Sequence, residues 1–184
     1  MSGKVLFETN FYIKFQSPNS DELIDYINNI DMSLINNKIF DWGKMCSSDK
    51  IPLKAQEMMN MLSLNIKEFS NKLKSKFTYK LYDPWLNLYK RKDFQEIHAH
   101  HPCHLSSVFF ANDGEGFSKF YFVDRHSNDV HPKLGNLINY KPNNVVEYKR
   151  GDILFFPSYL LHGLSSHNSD KIRKTLSFNF DIID

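Results

Sequence analysis

The amino-acid sequence predicts a mostly β chain with N-terminal helices, folded as a sandwich or a double-sheet jelly roll. Three observations carry that prediction. Aromatic residues make up 15% of the 184 residues, with 16 Phe and 9 Tyr, and these side chains favour half-buried pleated surfaces. The hydrophobic period changes near Phe77, from helical spacing before it to short apolar runs broken by turn residues after it. Those runs recur seven or eight times at roughly regular spacing, the pattern of two packed antiparallel sheets. The length suits one domain. The expected organisation is a single domain over residues 1–184, with a helical buttress and first strand in 1–77 and the jelly-roll core in 78–184.

Taken in order, Ser17-Pro18-Asn19-Ser20-Asp21-Glu22 reads as a helix start, a small polar cap followed by acids in the first turn. Leu23, Ile24, Ile27 and Ile30 then fall on one helical face. A longer helix is expected from Ile51-Pro52 to about Lys76, because Ala55, Met58, Met59, Leu62, Ile66, Phe69 and Leu73 repeat at three- and four-residue steps. Its apolar stripe is expected to back a sheet. Strands are expected at Trp85–Tyr89, Phe94–His98, Leu105–Ala111, Phe117–Val123, Val145–Tyr148, Ile153–Phe156 and Thr175–Asp181. In the first of these, Trp85, Asn87 and Tyr89 share one face and Leu86 and Leu88 the other. Asn112-Asp113-Gly114-Glu115-Gly116 reads as a hairpin turn and Arg150-Gly151-Asp152 as a second tight turn. The stretch Ser127–Asn144, rich in Asn, Pro and Lys, reads as a long loop bordering a site.

Composition excludes several classes. With 41% hydrophobic and 24% charged residues, intrinsic disorder is ruled out. A net charge of +2, with lysines scattered rather than striped, gives no footprint for nucleic acid as a direct partner. Two cysteines, Cys46 and Cys103, make no disulfide framework. The N-terminal MSGKVLFETN has no apolar core, and no stretch is long and apolar enough to span a membrane. A soluble, cytoplasmic protein is the expectation.

The chemistry concentrates in histidine. Four of the eight histidines lie in His98-Ala99-His100-His101-Pro102-Cys103-His104. On a strand, His98 and His100 project from one face and can share a metal. Pro102 ends the strand, so His101 and His104 are expected on the rim. A third ligand must come from a distant strand, and His162 is the candidate. It follows a turn, a very apolar strand and a break at Pro157, and it precedes Gly163. Imidazoles suit Zn, Cu, Fe or Ni. Structural zinc is disfavoured because closed sites commonly use four ligands including Cys, although Cys103 is near enough in sequence to ligate. Three histidines with open positions look catalytic. Arg173 opens Arg173-Lys174-Thr175-Leu176-Ser177, and an Arg and a hydroxyl on one strand face can hold a carboxylate. Asp124 is the one acid weighed as a further ligand; Asp152 reads as a turn residue.

With these residues in place, the chain resembles the Fe(II)/2-oxoglutarate-dependent oxygenases, and among them the small 2OG-Fe(II) oxygenases of bacteria and phages. The resemblance runs from about Trp85 to Phe180. It rests on Trp85-Leu86-Asn87-Leu88-Tyr89, His98-Ala99-His100, Leu105-Ser106-Ser107-Val108-Phe109-Phe110, Gly151-Asp152 through His162-Gly163, and Arg173-Lys174-Thr175 with Ser177-Phe178-Asn179. It implies a double-stranded β-helix buttressed by N-terminal helices, Fe(II) and 2-oxoglutarate as cofactor and cosubstrate, and O2 as co-reactant. It implies His98, His100 and His162 as metal ligands and Arg173 as the clamp for the far carboxylate. Thr175, Asn87 and Tyr89 are helpers at the cosubstrate. It also implies a hydroxylase that couples 2-oxoglutarate decarboxylation to C–H oxidation of a small-molecule or macromolecular substrate. If phage-encoded, the chain would work in the host cytoplasm. Two departures stand out. The usual His-x-Asp/Glu has His at position 100, and Phe109 and Phe110 stand where relatives often carry tyrosine. Arg125, His126 and His131, bordering the long loop, are the expected substrate contacts. Two other readings of the residues remain open. One is a cupin-like three-histidine dioxygenase without 2-oxoglutarate, which has no need of Arg173. The other is a non-catalytic, metal-stabilised binding or phage accessory protein.

Overall fold

The computed structural model describes residues 10–36 and 46–183; most of the MSGKVLFETN segment lies outside them. Along the chain come β1 (Ile13–Gln16), α1 (Ser20–Asn28), β2 (Asp49–Pro52), α2 (Ala55–Leu73), β3 (Tyr79–Leu81), β4 (Trp85–Tyr89), β5 (Gln95–His98), β6 (Leu105–Phe110) and β7 (Phe120–Val123). Then follow α3 (Pro132–Leu137), β8 (Asn143–Val146), β9 (Asp152–Pro157), β10 (His162–Leu164) and β11 (Arg173–Ile182).

The strands form two antiparallel sheets. The larger runs β1-β9-β6-β11-β4-β2, with β3 also pairing β11; the smaller runs β5-β10-β7-β8. From β4 to β11, four strands in each sheet face one another, and the chain repeatedly crosses between sheets. This is the double-stranded β-helix. The crossing overturns one expectation. Asn112–Gly116 does not close a hairpin, because β6 pairs with β9 and β11 while β7 pairs with β10 and β8. The turn chemistry is still present, with Gly116 at φ 75°, but it carries the chain from one sheet to the other.

Alternation along the strands builds two apolar layers. Leu86, Leu88, Phe109, Ile153, Phe155, Leu176, Phe178 and Phe180 point outward, and they pack with Leu23, Ile24 and Ile27 of α1 and Met58, Leu62, Ile66 and Phe69 of α2. The residues between them on the same strands, including Tyr89, Val108, Phe110, Leu154 and Phe156, point inward against Phe120, Phe122, Val146 and Leu164 of the smaller sheet. Leu176, Phe178 and Phe180, alternating along β11 with Thr175 and Ser177, all join the helix-backed layer.

The N-terminal half departs from expectation at one place. Ile51-Pro52 is strand, not helix start: β2 pairs with β4, Ile51 opposite Leu86, and α2 begins three residues later. Ile51 is wholly buried, so its apolar character serves the sheet. Of the helical stripe, Met58, Leu62, Ile66 and Phe69 are buried, whereas Met59 is exposed. The long loop before β8 carries a one-turn 3-10 helix (Ser127–Asp129) and α3.

Candidate active site

Strand register brings the histidines together. His162, first residue of β10, lies directly opposite His98, last residue of β5, and also opposite Phe122 of β7. Facing residues of adjacent antiparallel strands share a sheet face, so both imidazoles point between the sheets. His100 lies two residues past the end of β5, and its backbone N–H donates to Ser158 O at 2.8 Å. A loop anchor, not strand alternation alone, therefore sets its position. Ring centroids are 4.3 Å apart for His98–His162, 4.9 Å for His98–His100 and 5.1 Å for His100–His162. One nitrogen from each ring lies within 4.8 Å of the others, a spacing that can close on one metal ion.

The rings are prepared as neutral donors. His98 Nδ1 is 2.8 Å from Glu96 O and His162 Nδ1 is 2.9 Å from Leu160 O. A carbonyl at Nδ1 holds the proton there and leaves the Nε2 lone pair available to a metal. Burial pushes all three imidazoles below the usual histidine range, His100 to about 3, with the neighbouring rings adding to the effect at His100 and His162. A neutral imidazole keeps the lone pair that a metal needs.

The three rings stand at one part of a cavity of about 490 Å³, counting its open mouth, between the sheets. Trp85, Asn87 and Tyr89 of β4 and Arg173, Thr175 and Ser177 of β11 all line it, as alternation predicts. Register sets Arg173 opposite Tyr89 and Thr175 opposite Asn87. Asn87 Nδ2 donates to Ser177 Oγ at 3.1 Å and Thr175 Oγ1 at 3.4 Å. Arg173 is 0% exposed. Its guanidinium lies 5.1 Å from the Tyr89 ring, 5.7 Å from Phe110 and 5.4 Å from Tyr148. Nε donates to Tyr148 Oη at 2.9 Å, while Nη1 and Nη2 are buried with no acceptor among the described residues. A buried charge with two unmet donors is costly, and a carboxylate is the group whose geometry meets both.

Three features escaped the sequence reading. Tyr148 stacks on Phe110 at 3.9 Å and supplies a phenol near where Phe110 has none. The strand expected over Val145–Tyr148 instead runs Asn143–Val146, so Tyr148 lies two residues past its end, and its place against Arg173 is set by tertiary packing that local patterning does not carry. Ser106 Oγ bonds Ser158 Oγ at 2.7 Å and Asn179 Oδ1 at 2.8 Å, making a polar wall beside the loop that holds His100. Lys50, 4% exposed, lines the cavity from β2. It was hidden by reading the following Ile51-Pro52 as a helix start.

Other expected residues lie outside this cavity. Asp124 does not join the histidines: its carboxylate takes Tyr140 Oη at 2.6 Å and the His126 N–H at 2.9 Å, which hold it below the usual carboxylate range. Cys103 also stands apart from the group of potential ligands. Asp152 is the turn residue expected, accepting from the Lys149 N–H and pairing with Lys14 at 2.9 Å. Arg125 and His126 line a separate open groove of about 1,420 Å³, whose wall includes Phe122, next to the His162 ring. His131 is exposed and caps α3 through Lys133 N, outside that lining. His101 and His104 are both exposed; His104 Nδ1 accepts from Ile182 N.

A double-stranded β-helix with three convergent imidazoles and a buried guanidinium at the wall defines the class of non-haem metal oxygenase folds. Residues 83–179, more than half of the chain, match the family described as Putative 2OG-Fe(II) oxygenase, and the chain belongs to that family. Its cofactor is Fe(II) and its cosubstrate 2-oxoglutarate, with O2 the co-reactant; it is an oxidoreductase of the 2OG-Fe(II) oxygenase type. The neutral nitrogen donors and the orphaned guanidinium fit those groups. No curated protein matches the sequence. Solved structures share the fold at low identity. HygX from Streptomyces hygroscopicus, with nickel and 2-oxoglutarate bound, aligns with TM-score 0.65 and 12% identity over 94% of this chain and 83% of that one. The viral collagen prolyl hydroxylase vCPH from Paramecium Bursaria Chlorella virus-1 gives 0.61 and 16% over 92% and 94%. The non-haem epimerase SnoN from nogalamycin biosynthesis gives 0.64 and 14% over 94% and 77%. Among the described residues no helix is long and apolar enough to cross a membrane.

Proposed function

We propose that the chain is a hydroxylase, in which His98, His100 and His162 hold the iron and Arg173 binds the far carboxylate of 2-oxoglutarate. When bound, iron and cosubstrate supply the oxidising chemistry, coupling loss of CO2 to oxidation of a substrate C–H bond. The chain's own residues hold and orient. The Leu160 and Glu96 carbonyls keep His162 and His98 in the tautomer that offers Nε2. Tyr148 and the aromatic rings around Arg173 fix its guanidinium plane, so two donors face the cavity. Asn87 and Thr175 provide polar contacts along the same wall, and Tyr89 closes it. Phe120 and Phe156, packed on the His162 ring at 5.4 and 4.8 Å, exclude water from that side.

The observation that carries this reading is the pair of Arg173 nitrogens, unmet among the described residues, in a cavity shared with the three imidazoles. It favours a 2-oxoglutarate enzyme over a three-histidine dioxygenase that needs no anion clamp. Arg125 and His126 in the groove beside Phe122 support substrate entry from that side; His131 belongs to the same loop but not to that lining. The test is anaerobic titration of Fe(II) and 2-oxoglutarate, following the visible charge-transfer band, in wild type and Arg173→Ala. The expected result is a band in wild type that is much weaker in the variant, and succinate formation when O2 is admitted. Metal-dependent stabilisation without band or succinate would instead mark a non-catalytic metal-binding domain.

A further inference from the structure

We propose that Cys46 and Lys50 form an oxidation-dependent sulfur–nitrogen cross-link in the wall of the cavity. The two residues stand four apart in sequence, at and just before β2. Lys50 is 4% exposed, an unusual state for lysine. Its Nζ donates to Cys46 Sγ at 2.7 Å and to Ser48 Oγ at 3.0 Å, and Ser48 Oγ is 3.1 Å from the same sulfur. Cys46 is only half-buried, so a small oxidant can reach it. Reactive cysteines are found beside cations in such partly exposed positions.

The segment is tied so that sulfur and nitrogen stay in register. Cys46 makes a β-bridge to Gln95. The Phe94 N–H donates to Ser47 Oγ at 3.1 Å. Lys50 lies opposite Asn87, and Asp49 pairs with Lys90 at 2.6 Å. Both partners are thus held on β4 and the strand that carries His98.

Hydrogen peroxide is the oxidant. In the first step the Cys46 thiol takes one peroxide oxygen, giving a sulfenic acid and one water. In the second, the Lys50 amine, having released a proton, attacks the sulfur. The S–N bond forms, the S–O bond breaks, and the hydroxyl leaves as water with the second nitrogen proton. Sulfur loses two electrons and peroxide ends as two waters. The nitrogen keeps one hydrogen and is no longer an ammonium. Among the described residues lining the cavity, Lys50 and Arg173 are the two cations. The cross-link therefore removes one of them beside a site that takes a dianion, and thiol reductants restore it.

The experiment uses metal-free wild-type protein without 2-oxoglutarate, exposed to hydrogen peroxide, then read by intact mass and tryptic mapping. The expected product is lighter by two hydrogens, resists alkylation at Cys46, and yields peptide 45–54 uncut after Lys50; dithiothreitol reverses all three changes. In Lys50→Arg the two-hydrogen loss disappears and Cys46 proceeds to the sulfinic acid. Cys103 is the internal comparison, since burial and the Asp181 carboxylate push its thiol up; it is expected to oxidise more slowly. The proposal is overturned if wild-type Cys46 stays reduced, or goes to sulfinic acid or an intermolecular disulfide while cleavage after Lys50 is complete.

Discussion

Arg173 illustrates what a single buried side chain commits a protein to. Its guanidinium is fully enclosed, satisfied at Nε by Tyr148 and, among the described residues, left without acceptors at Nη1 and Nη2. Substituting methionine fills similar volume without the charge, and replacing a buried charge by an apolar side chain is often neutral or stabilising. Arg173→Met is therefore expected to melt at or above the wild-type temperature when ligand-free. With Zn(II) in place of iron, 2-oxoglutarate at a hundred times its dissociation constant should stabilise wild type by about 2.7 kcal/mol and leave the variant unchanged. Thermal melts with and without cosubstrate check both halves. An Arg173→Met protein that still gains stability from 2-oxoglutarate would remove the clamp from this residue.

Among elements, α2 holds up the larger sheet. Phe69 is 0% exposed, stacks on Phe155 at 4.6 Å and meets Phe180 edge-on at 6.3 Å. Phe69→Ala leaves a cavity between helix and sheet and is expected to cost about 3–5 kcal/mol, measured by urea unfolding. The turn into β9 makes a second case. Gly151 has φ 85°, and an added Cβ there would meet the Gln16 side chain and Ser20 Cβ. Gly151→Ala is expected to destabilise by about 1–2 kcal/mol through the left-handed backbone alone, with more if Gln16 cannot move. A neutral result in the same urea assay would show that the turn relaxes.

For the molecule as a whole, the end of β11 is pinned by a carboxylate. Tyr82 Oη donates to Asp181 Oδ2 at 2.6 Å and the His104 N–H to Oδ1 at 2.9 Å. These bonds hold the Asp181 carboxyl below its ordinary range. A depressed folded-state value means that the unfolded chain binds the proton first, so this stability is complete above about pH 4 and is lost as pH falls toward the lower folded value. Asp181→Asn is expected to flatten the acid limb of a stability–pH curve below about pH 4; an unchanged slope would assign acid lability elsewhere. Metal binding is expected to act on the whole fold too, since the three histidines join β5, β10 and the loop after β5. Zn(II) is expected to raise the melting temperature of wild type, and His162→Ala to abolish that gain.

The sequence by itself determined the alternation of β4 and β11, because period-two patterning needs no partner strand: Trp85, Asn87 and Tyr89 inward, Leu86 and Leu88 outward. It also determined the helix stripe centred on Met58, Leu62, Ile66 and Phe69, and it singled out His98, His100, His162 and Arg173 by residue type in an apolar context. Tertiary structure decided what patterning cannot encode, namely which strands are neighbours and in what register. Only the pairing of His162 with His98, with the Ser158 anchor on His100, brings the distant third imidazole to the other two. Only the separation of β6 from β7 converts an apparent hairpin into a crossing between sheets. The β2–β4 register likewise brought Lys50 to the cavity, and the chain beyond β8 set Tyr148 against Arg173, by contacts between segments far apart in the chain whose geometry no local pattern of side chains carries.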